Sequence, residues 1–165
     1  MRQRDRDPQG RARSARPRDG LGRPLPYGSP GVECMDEGMV LAPMESLAQA
    51  QRLLDDARPF HAHEVLEAAW KNAPGAERAL WKGLAQLAVG LTHLRRGNGT
   101  GAAALLRRAH DHIQPYIQQP PYSVAAEQLT HYATDLATRI ERDGPDAIAS
   151  EQLSPQLRTI RAPKG

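Results

Sequence analysis

The sequence predicts an all-α protein, a compact bundle of about five helices built from stacked helical hairpins, with a disordered or extended N-terminal arm. Three observations predict this fold class. From Met44 onward, apolar residues recur at the three- and four-residue spacing of helix faces, and no segment alternates as strands do. Pro and Gly separate these periodic segments. The length of 165 residues and the few aromatic residues indicate one domain with a core of Leu, Ala and Val.

The arm comprises residues 1–44. Residues 1–45 contain six Pro and six Gly, and residues 1–30 carry eight Arg and three Asp. Because this composition buries too little apolar surface to offset the entropy of ordering, we expect residues 1–25 to be disordered. The more apolar residues 26–44 are expected to lie extended across the domain. The basic arm could contact phosphates nonspecifically, but its aspartates and its lack of aromatics beside the Arg residues do not favour nucleic-acid recognition.

A helical domain is predicted over residues 45–145 and a weakly patterned C-terminal tail over residues 146–165. Pro59 stands at the favoured first-turn position of a helix, and Gly97 and Gly144-Pro145 mark helix ends. Thr100 is the expected N-cap of the fourth helix. The five predicted helices cover residues 45–57, 59–72, 76–96, 100–114 and 122–143.

A faint repeat at an offset of 40 residues supports the hairpin architecture. Leu54, Ala62 and Leu66 in the first unit correspond to Leu94, Ala102 and Leu106 in the second. Small and large apolar residues at this spacing are typical of packed helical hairpins. Two units are too few for a solenoid, so a compact bundle is expected.

Composition also bears on the compartment and on membrane contact. The chain has one cysteine, Cys34, so an internal disulfide framework is excluded and a reducing compartment is favoured. The N-terminus has no apolar run of the secretory type. The longest uncharged apolar stretch, residues 83–94, is too short to span a bilayer. We therefore expect a cytoplasmic protein without a membrane partner.

The second predicted helix carries polar residues along one border of its apolar stripe. His63 and Glu67 are four residues apart, so their side chains are neighbours, and Trp70 follows on the same border. These residues form one half of a candidate polar cluster.

The third predicted helix supplies the other half. It is apolar around most of its circumference, which is typical of a central helix, but one face holds Gly83, Gln86, Gly90 and His93. A neighbouring helix could approach closely over the glycines and leave the two polar side chains in need of partners. Because the preceding helix supplies polar groups nearby, we expect its His63 and Glu67 to converge with Gln86 and His93.

Two interpretations of this cluster stay open. In the simpler one, Glu67 and Gln86 hydrogen-bond the two imidazoles and close the bundle. In the other, two His and one Glu hold a catalytic ion such as zinc, with Glu64 as the candidate general base. The run from His63 resembles the zinc motif HExxH, but Glu67 stands at the position of the second His, so the motif is incomplete and a divalent metal is not favoured.

Three blocks of residues resemble a known family, the domain of unknown function 309. The family pattern aromatic-x-x-His-Glu-x-x-Glu-x-x-Trp is met by Phe60, His63, Glu64, Glu67 and Trp70. The next two blocks are met by Gly83, Leu84, Gln86, Leu87, Ala88 and His93, and by Gly97, Asn98, Gly101, Ala102, Leu105 and Leu106. The resemblance covers residues 53–110, and the Pro/Arg-rich start is similar to actinobacterial members. It implies a fold of helical hairpins and no established function, although some members are labelled predicted metal-dependent hydrolases.

The residues support one leading hypothesis and two alternatives. The leading hypothesis is a noncatalytic module that binds a small ligand or a protein partner. Its candidate binding residues are His63, Glu67, Trp70, Gln86, His93 and Asn98. The first alternative is a metal-dependent hydrolase in which His63, Glu67 and His93 hold the ion and Glu64 is catalytic. The second is a nucleic-acid accessory protein that acts through the arm. Whether the protein is an enzyme, which ligand it binds and its oligomeric state stay open.

Overall fold

Five α-helices follow one another along residues 41–159, which together with residues 5–6 and 12–13 are the part of the chain that the computed structural model describes. Their bounds are α1 Pro43–Asp55, α2 Pro59–Asn72, α3 Arg78–Arg95, α4 Gly99–Ile113 and α5 Ala126–Asp143. Two short strands, β1 Asp5–Arg6 and β2 Ala12–Arg13, pair antiparallel. The expectations for the rest of residues 1–40 concern residues outside the described part. The predicted all-α class and the number of helices are confirmed.

The bounds of three helices differ clearly from the predicted ones. α1 begins at Pro43 and ends at Asp55, two residues earlier at each end than the predicted 45–57, because Pro43 occupies its first turn. α2 has the predicted bounds, whereas α3 begins at Arg78 after the 3₁₀ turn Gly75–Glu77. The predicted start of the fifth helix at residue 122 is wrong, because Tyr122 and Ser123 have positive φ angles of 55° and 59°. A right-handed helix cannot contain this conformation, so the helix starts after it.

The N-cap of α4 is Asn98, and the prediction of Thr100 is wrong. Gly97 ends the preceding segment in the left-handed conformation, with φ 80°, and brings the chain directly to Asn98. The Asn98 side-chain oxygen accepts a hydrogen bond from the Gly101 amide at 3.0 Å. Thr100 lies one residue inside the helix, where its hydroxyl cannot take the capping position.

α3 is the central helix of the described domain. It packs against α2 on one side and α4 on the other, while α1 packs on α2 and α5 on α4. The Leu side chains of α3 at positions 80, 84, 87 and 91 are almost completely buried. Each helix thus contacts its neighbours in the sequence, which confirms the prediction of stacked hairpins. None of the described helices is long and apolar enough to cross a membrane.

The glycine face of α3 contacts α4, not α2 as the sequence suggested. A Cβ atom at Gly83 would lie 2.8 Å from Ile113 Cγ1 and 3.2 Å from the Ala109 carbonyl oxygen, and one at Gly90 would lie 3.2 Å from Leu106 Cγ. The two glycines are seven residues apart, as are Leu106 and Ile113, so the two helices match over two turns. α4 therefore approaches α3 more closely than any side chain at Gly83 would allow.

The described part of the predicted tail packs on the domain. Leu153 and Leu157 are buried in the core. The Gln51 side chain on α1 donates to the Pro155 carbonyl at 3.1 Å and accepts from the Leu157 amide at 2.8 Å. Arg158 forms a β-bridge with Val124 ahead of α5. These contacts hold residues 153–159 against both ends of the helical series.

We expect Gly83→Ala to lower the free energy of unfolding by about 1–2 kcal/mol, because the cost of overpacking against α4 exceeds the gain in helix propensity of about 1 kcal/mol. Urea unfolding monitored by circular dichroism measures the change. Gly75→Ala is the matched control, since a Cβ atom there meets nothing within 4 Å. Equal stability changes for the two variants would contradict the close approach.

Candidate functional site

The Glu67 carboxylate on α2 contacts one imidazole and one ammonium group, those of His63 and Lys71. His63 Nε2 donates to Glu67 Oε2 at 3.1 Å, and Lys71 Nζ lies 3.2 Å from Glu67 Oε1. The His63 hydrogen bond is the main reason why the pKa of Glu67 is lowered to about 2, although partial burial acts in the opposite direction. A lowered carboxyl pKa stabilises the fold above pH 4.5, and this contribution is lost as the pH falls toward 2.

Trp70 connects α2 to α3. The Lys82 ammonium lies 5.5 Å from the centre of the Trp70 ring, within the range of a cation–π contact. Trp70 is half-buried, whereas the other tryptophan, Trp81, is 1% exposed and belongs to the core. Trp70 therefore presents part of its ring, covered by a cation, at the surface.

Gln86 on α3 contacts α4 through His112. The His112 Nδ1 atom lies 2.7 Å from Gln86 Oε1 and 3.0 Å from the Arg108 carbonyl oxygen. Because the carbonyl oxygen can only accept, Nδ1 carries the proton and donates to both oxygens. Gln86 thus turns its oxygen toward α4 and its NH₂ group away from His112.

His93 at the end of α3 is paired with Asn98. Because Asn98 Oδ1 accepts from the Gly101 amide, the Asn98 NH₂ group faces His93 and donates to its Nδ1 atom at 3.1 Å. The proton of the neutral imidazole is then on Nε2. Partial burial, and secondarily the charge of Arg96, lower the pKa of His93 and favour this neutral form.

The structure joins the predicted site residues in pairs and not at one point. Lys82, Gln86 and His93 follow one another at helical spacing on α3 and are half-buried; Lys82 contacts Trp70 of α2, and Gln86 contacts His112 of α4. We call this surface the polar face. It comprises His63, Glu67, Trp70, Lys82, Gln86, His93, Asn98 and His112. The predicted bond between Glu67 and His63 is present, but Gln86 bonds His112 and not His93.

The polar face does not fit the three-ligand metal site. Within residues 41–159 and the two short strands, no three His, Cys, Asp or Glu side chains form a group that could hold a metal ion. Glu67 accepts from Nε2 of His63, whose Nδ1 atom is buried without a hydrogen-bond partner among the described residues, and His93 Nδ1 already accepts from Asn98. Its Nε2 atom carries the proton and has no lone pair for a metal. The predicted set of His63, Glu67 and His93 is therefore not assembled, and Glu64, the candidate general base, is half-buried on α2.

His112 and Lys82 are the members of the polar face that sequence reasoning missed. The helical wheel of α3 predicts its polar stripe but not which of its two sequence neighbours, α2 or α4, covers the glycines beside it. The signal that points to α4 is the spacing of the two glycines, which matches Leu106 and Ile113. Lys82 belongs to no sequence motif. Its position over the Trp70 ring depends on how α2 packs on α3 and could not be predicted from the sequence.

An apolar cavity of about 320 Å³ lies elsewhere, between the start of α1 and the end of α2. Leu41, Val65, Ala69 and Trp81 are among the residues that line it, and Glu77 supplies a carboxylate. None of the predicted site residues takes part. The residues of the polar face therefore do not line this cavity.

Comparison with known proteins confirms the family resemblance over part of the chain. Residues 47–105 match the model of the family described as domain of unknown function 309. The uncharacterized protein YpuF of Bacillus subtilis (strain 168) is 48% identical over 48 residues, which are 28% of this chain and 28% of that relative's length. No solved structure matches the chain significantly. The family match includes most of the polar face but ends before His112.

We expect Asn98→Asp to reverse the hydrogen bond to His93. The carboxylate still caps α4 but can only accept, so His93 Nδ1 becomes the protonated atom and the pKa of His93 rises. Two-bond ¹H–¹⁵N correlation spectra of the imidazoles report both the tautomer and the titration.

Asn98→Ser is the control for this exchange, because serine keeps the cap but has no amide to donate to His93. It should leave the stability of α4 nearly unchanged without raising the pKa of His93. An unaltered His93 tautomer in Asn98→Asp would contradict the arrangement.

Proposed function

Since residues 47–105 match a family with no described activity, we propose from the geometry that the domain is a noncatalytic module. Its ligand, a small molecule or a protein segment, binds to the polar face. The candidate binding residues are those that the sequence singled out, His63, Glu67, Trp70, Gln86, His93 and Asn98, together with Lys82 and His112.

The single observation that carries the proposal is the state of the imidazoles. His63, His93 and His112 are each held by a hydrogen bond to a neighbouring side chain. A general base or a metal ligand needs a lone pair aimed at a substrate proton or at an ion. Nδ1 of His63 is buried and has no hydrogen-bond partner among the described residues, so its lone pair does not face a ligand at the surface, and Nδ1 of His93 accepts from Asn98. Side chains fixed by one another form instead a preorganised surface, which loses little conformational entropy when a ligand binds.

Trp70 supports the same proposal. Trp70 is half-buried and offers both apolar ring area and a ring face that attracts cations such as the Lys82 ammonium. Tryptophan side chains supply much of the binding free energy at protein interfaces. Trp70 lies between the paired residues of α2 and the polar stripe of α3. A ligand on the polar face would therefore contact its ring.

The metal-dependent hydrolase is the alternative that this proposal replaces. It requires the proton of His93 to move from Nε2 to Nδ1 so that Nε2 can bind the ion, which would break the hydrogen bond that Asn98 donates to Nδ1. We expect elemental analysis of the purified full chain to find no stoichiometric zinc or manganese. Stoichiometric metal that is lost in His63→Ala, while the variant stays folded, would favour the hydrolase instead.

Site-specific photo-crosslinking in the producing cells tests the binding function. A photoreactive amino acid in place of the exposed Lys71, beside Glu67, should give a defined adduct whose mass distinguishes a small ligand from a protein. The same group in place of the exposed Asp135 on α5 is the matched control and should give none. Trp70→Ala should abolish the adduct at position 71. Equal adducts at both positions, or none at position 71, would contradict the proposal.

A further inference from the structure

The stretch of the polar face where α3 meets α4 has an excess of positive charge. α3 contains no Asp or Glu, and its Lys82 lies on the polar face. On α4, the exposed Arg108 stands one turn before His112. An electropositive stripe between two packed helices attracts ligands of opposite charge.

Three carboxylates of the neighbouring elements are already engaged. Both oxygens of Glu67 contact His63 and Lys71. The carboxylate of Glu77 accepts from the Trp81 indole and the Tyr122 hydroxyl, and Asp111 contacts His110. Lys82 is therefore not neutralised by an ion pair within residues 41–159, and its described contact is the Trp70 ring.

Gln86 adds directed donors beside this charge. Its oxygen is taken by His112 Nδ1, so the two N–H groups of its amide face away from α4. Among the described residues these donors have no hydrogen-bond partner. Lys82 and Gln86 are four residues apart on one helix, so the ammonium and the amide are neighbours on one face.

We propose that the ligand of the polar face presents an anionic oxygen group, a carboxylate or a phosphate, to Lys82 and Gln86. Lys82 supplies the charge and Gln86 the directed N–H groups, a combination that gives strong charge-assisted hydrogen bonds. Arg108 adds a second cation at the edge. His112 is a positioning residue, because it fixes which end of the Gln86 amide faces the ligand. This inference rests on the proposed binding function and specifies the chemistry of its ligand.

Titration of the isotope-labelled full chain with inorganic phosphate, and separately with succinate, tests the inference by nuclear magnetic resonance at constant ionic strength. We expect saturable shifts of the Gln86 side-chain amide and of the Lys82 terminal methylene. Saturation with phosphate alone would identify a phosphate ligand, and saturation with succinate alone a carboxylate ligand. Shifts that rise linearly with both anions and are equally large across the arginines would show nonspecific screening and overturn the inference.

Three variants assign the roles. Lys82→Met keeps the apolar stem over Trp70 but removes the charge, and should weaken the affinity about tenfold. Lys71→Met removes the same charge from a lysine that is paired with Glu67, and should leave the affinity nearly unchanged. Gln86→Glu still accepts from His112 but replaces the outward N–H groups with a carboxylate oxygen, and should abolish binding without unfolding the domain.

The positioning role of His112 has its own readout. In His112→Ala, Gln86 loses its anchor, so its side-chain amide shifts should move toward those of a solvent-exposed glutamine while the affinity falls several-fold. Unchanged Gln86 shifts would contradict that role. If neither anion saturates but the adduct at position 71 is still found, the binding function stands and the anionic ligand is wrong. If both are absent, both proposals fail.

Discussion

The close contact of α3 and α4 over Gly83 is the constraint on which the rest of the arrangement depends. Without a side chain at this position, the backbone of α3 comes near the Ala109 carbonyl and the Ile113 side chain. Only at this separation can the short reach of Gln86 place its oxygen 2.7 Å from His112 Nδ1. The packing of two apolar helices thus sets the geometry of a polar pair at their edge, and a wider separation would leave both groups to water.

Asn98 links the fold to the polar face in a similar way. One side-chain amide caps α4 through its oxygen and holds His93 through its nitrogen. The two roles cannot be separated by turning the amide. In the reversed orientation the Asn98 NH₂ group, a donor, would face the Gly101 N–H, which is also a donor. The start of α4 and the tautomer of His93 are consequently fixed by the same side chain.

The sequence predicted the number of helices and the bounds of those that end at local signals, but not which neighbouring helix each face contacts. The bounds of α2 follow from Pro59 and Pro74, two residues whose effect on a helix is local. The start of α5 was missed because Tyr122 and Ser123 are left-handed and their hydrogen-bond partners, Glu77, Arg158 and Thr159, are distant in the sequence. The same limit applied to the site: the pairing of His63 with Glu67 lies within one helix and was predicted, whereas the partner of Gln86 depended on which helix covers the glycines.

The substitution of Glu67 for the second histidine of a zinc motif changes what the first histidine can do. With a histidine at that position, both imidazoles could turn toward one ion; with a carboxylate, His63 donates its Nε2 proton instead. The ionised form of Glu67 is stabilised so strongly that its pKa lies near 2, which keeps this acceptor available at any ordinary pH. Glu67 also contacts Lys71, whereas the described contact of Lys82 is the Trp70 ring. One carboxylate therefore engages both His63 and Lys71, which is why the proposed anion is assigned to Lys82 and not to Lys71.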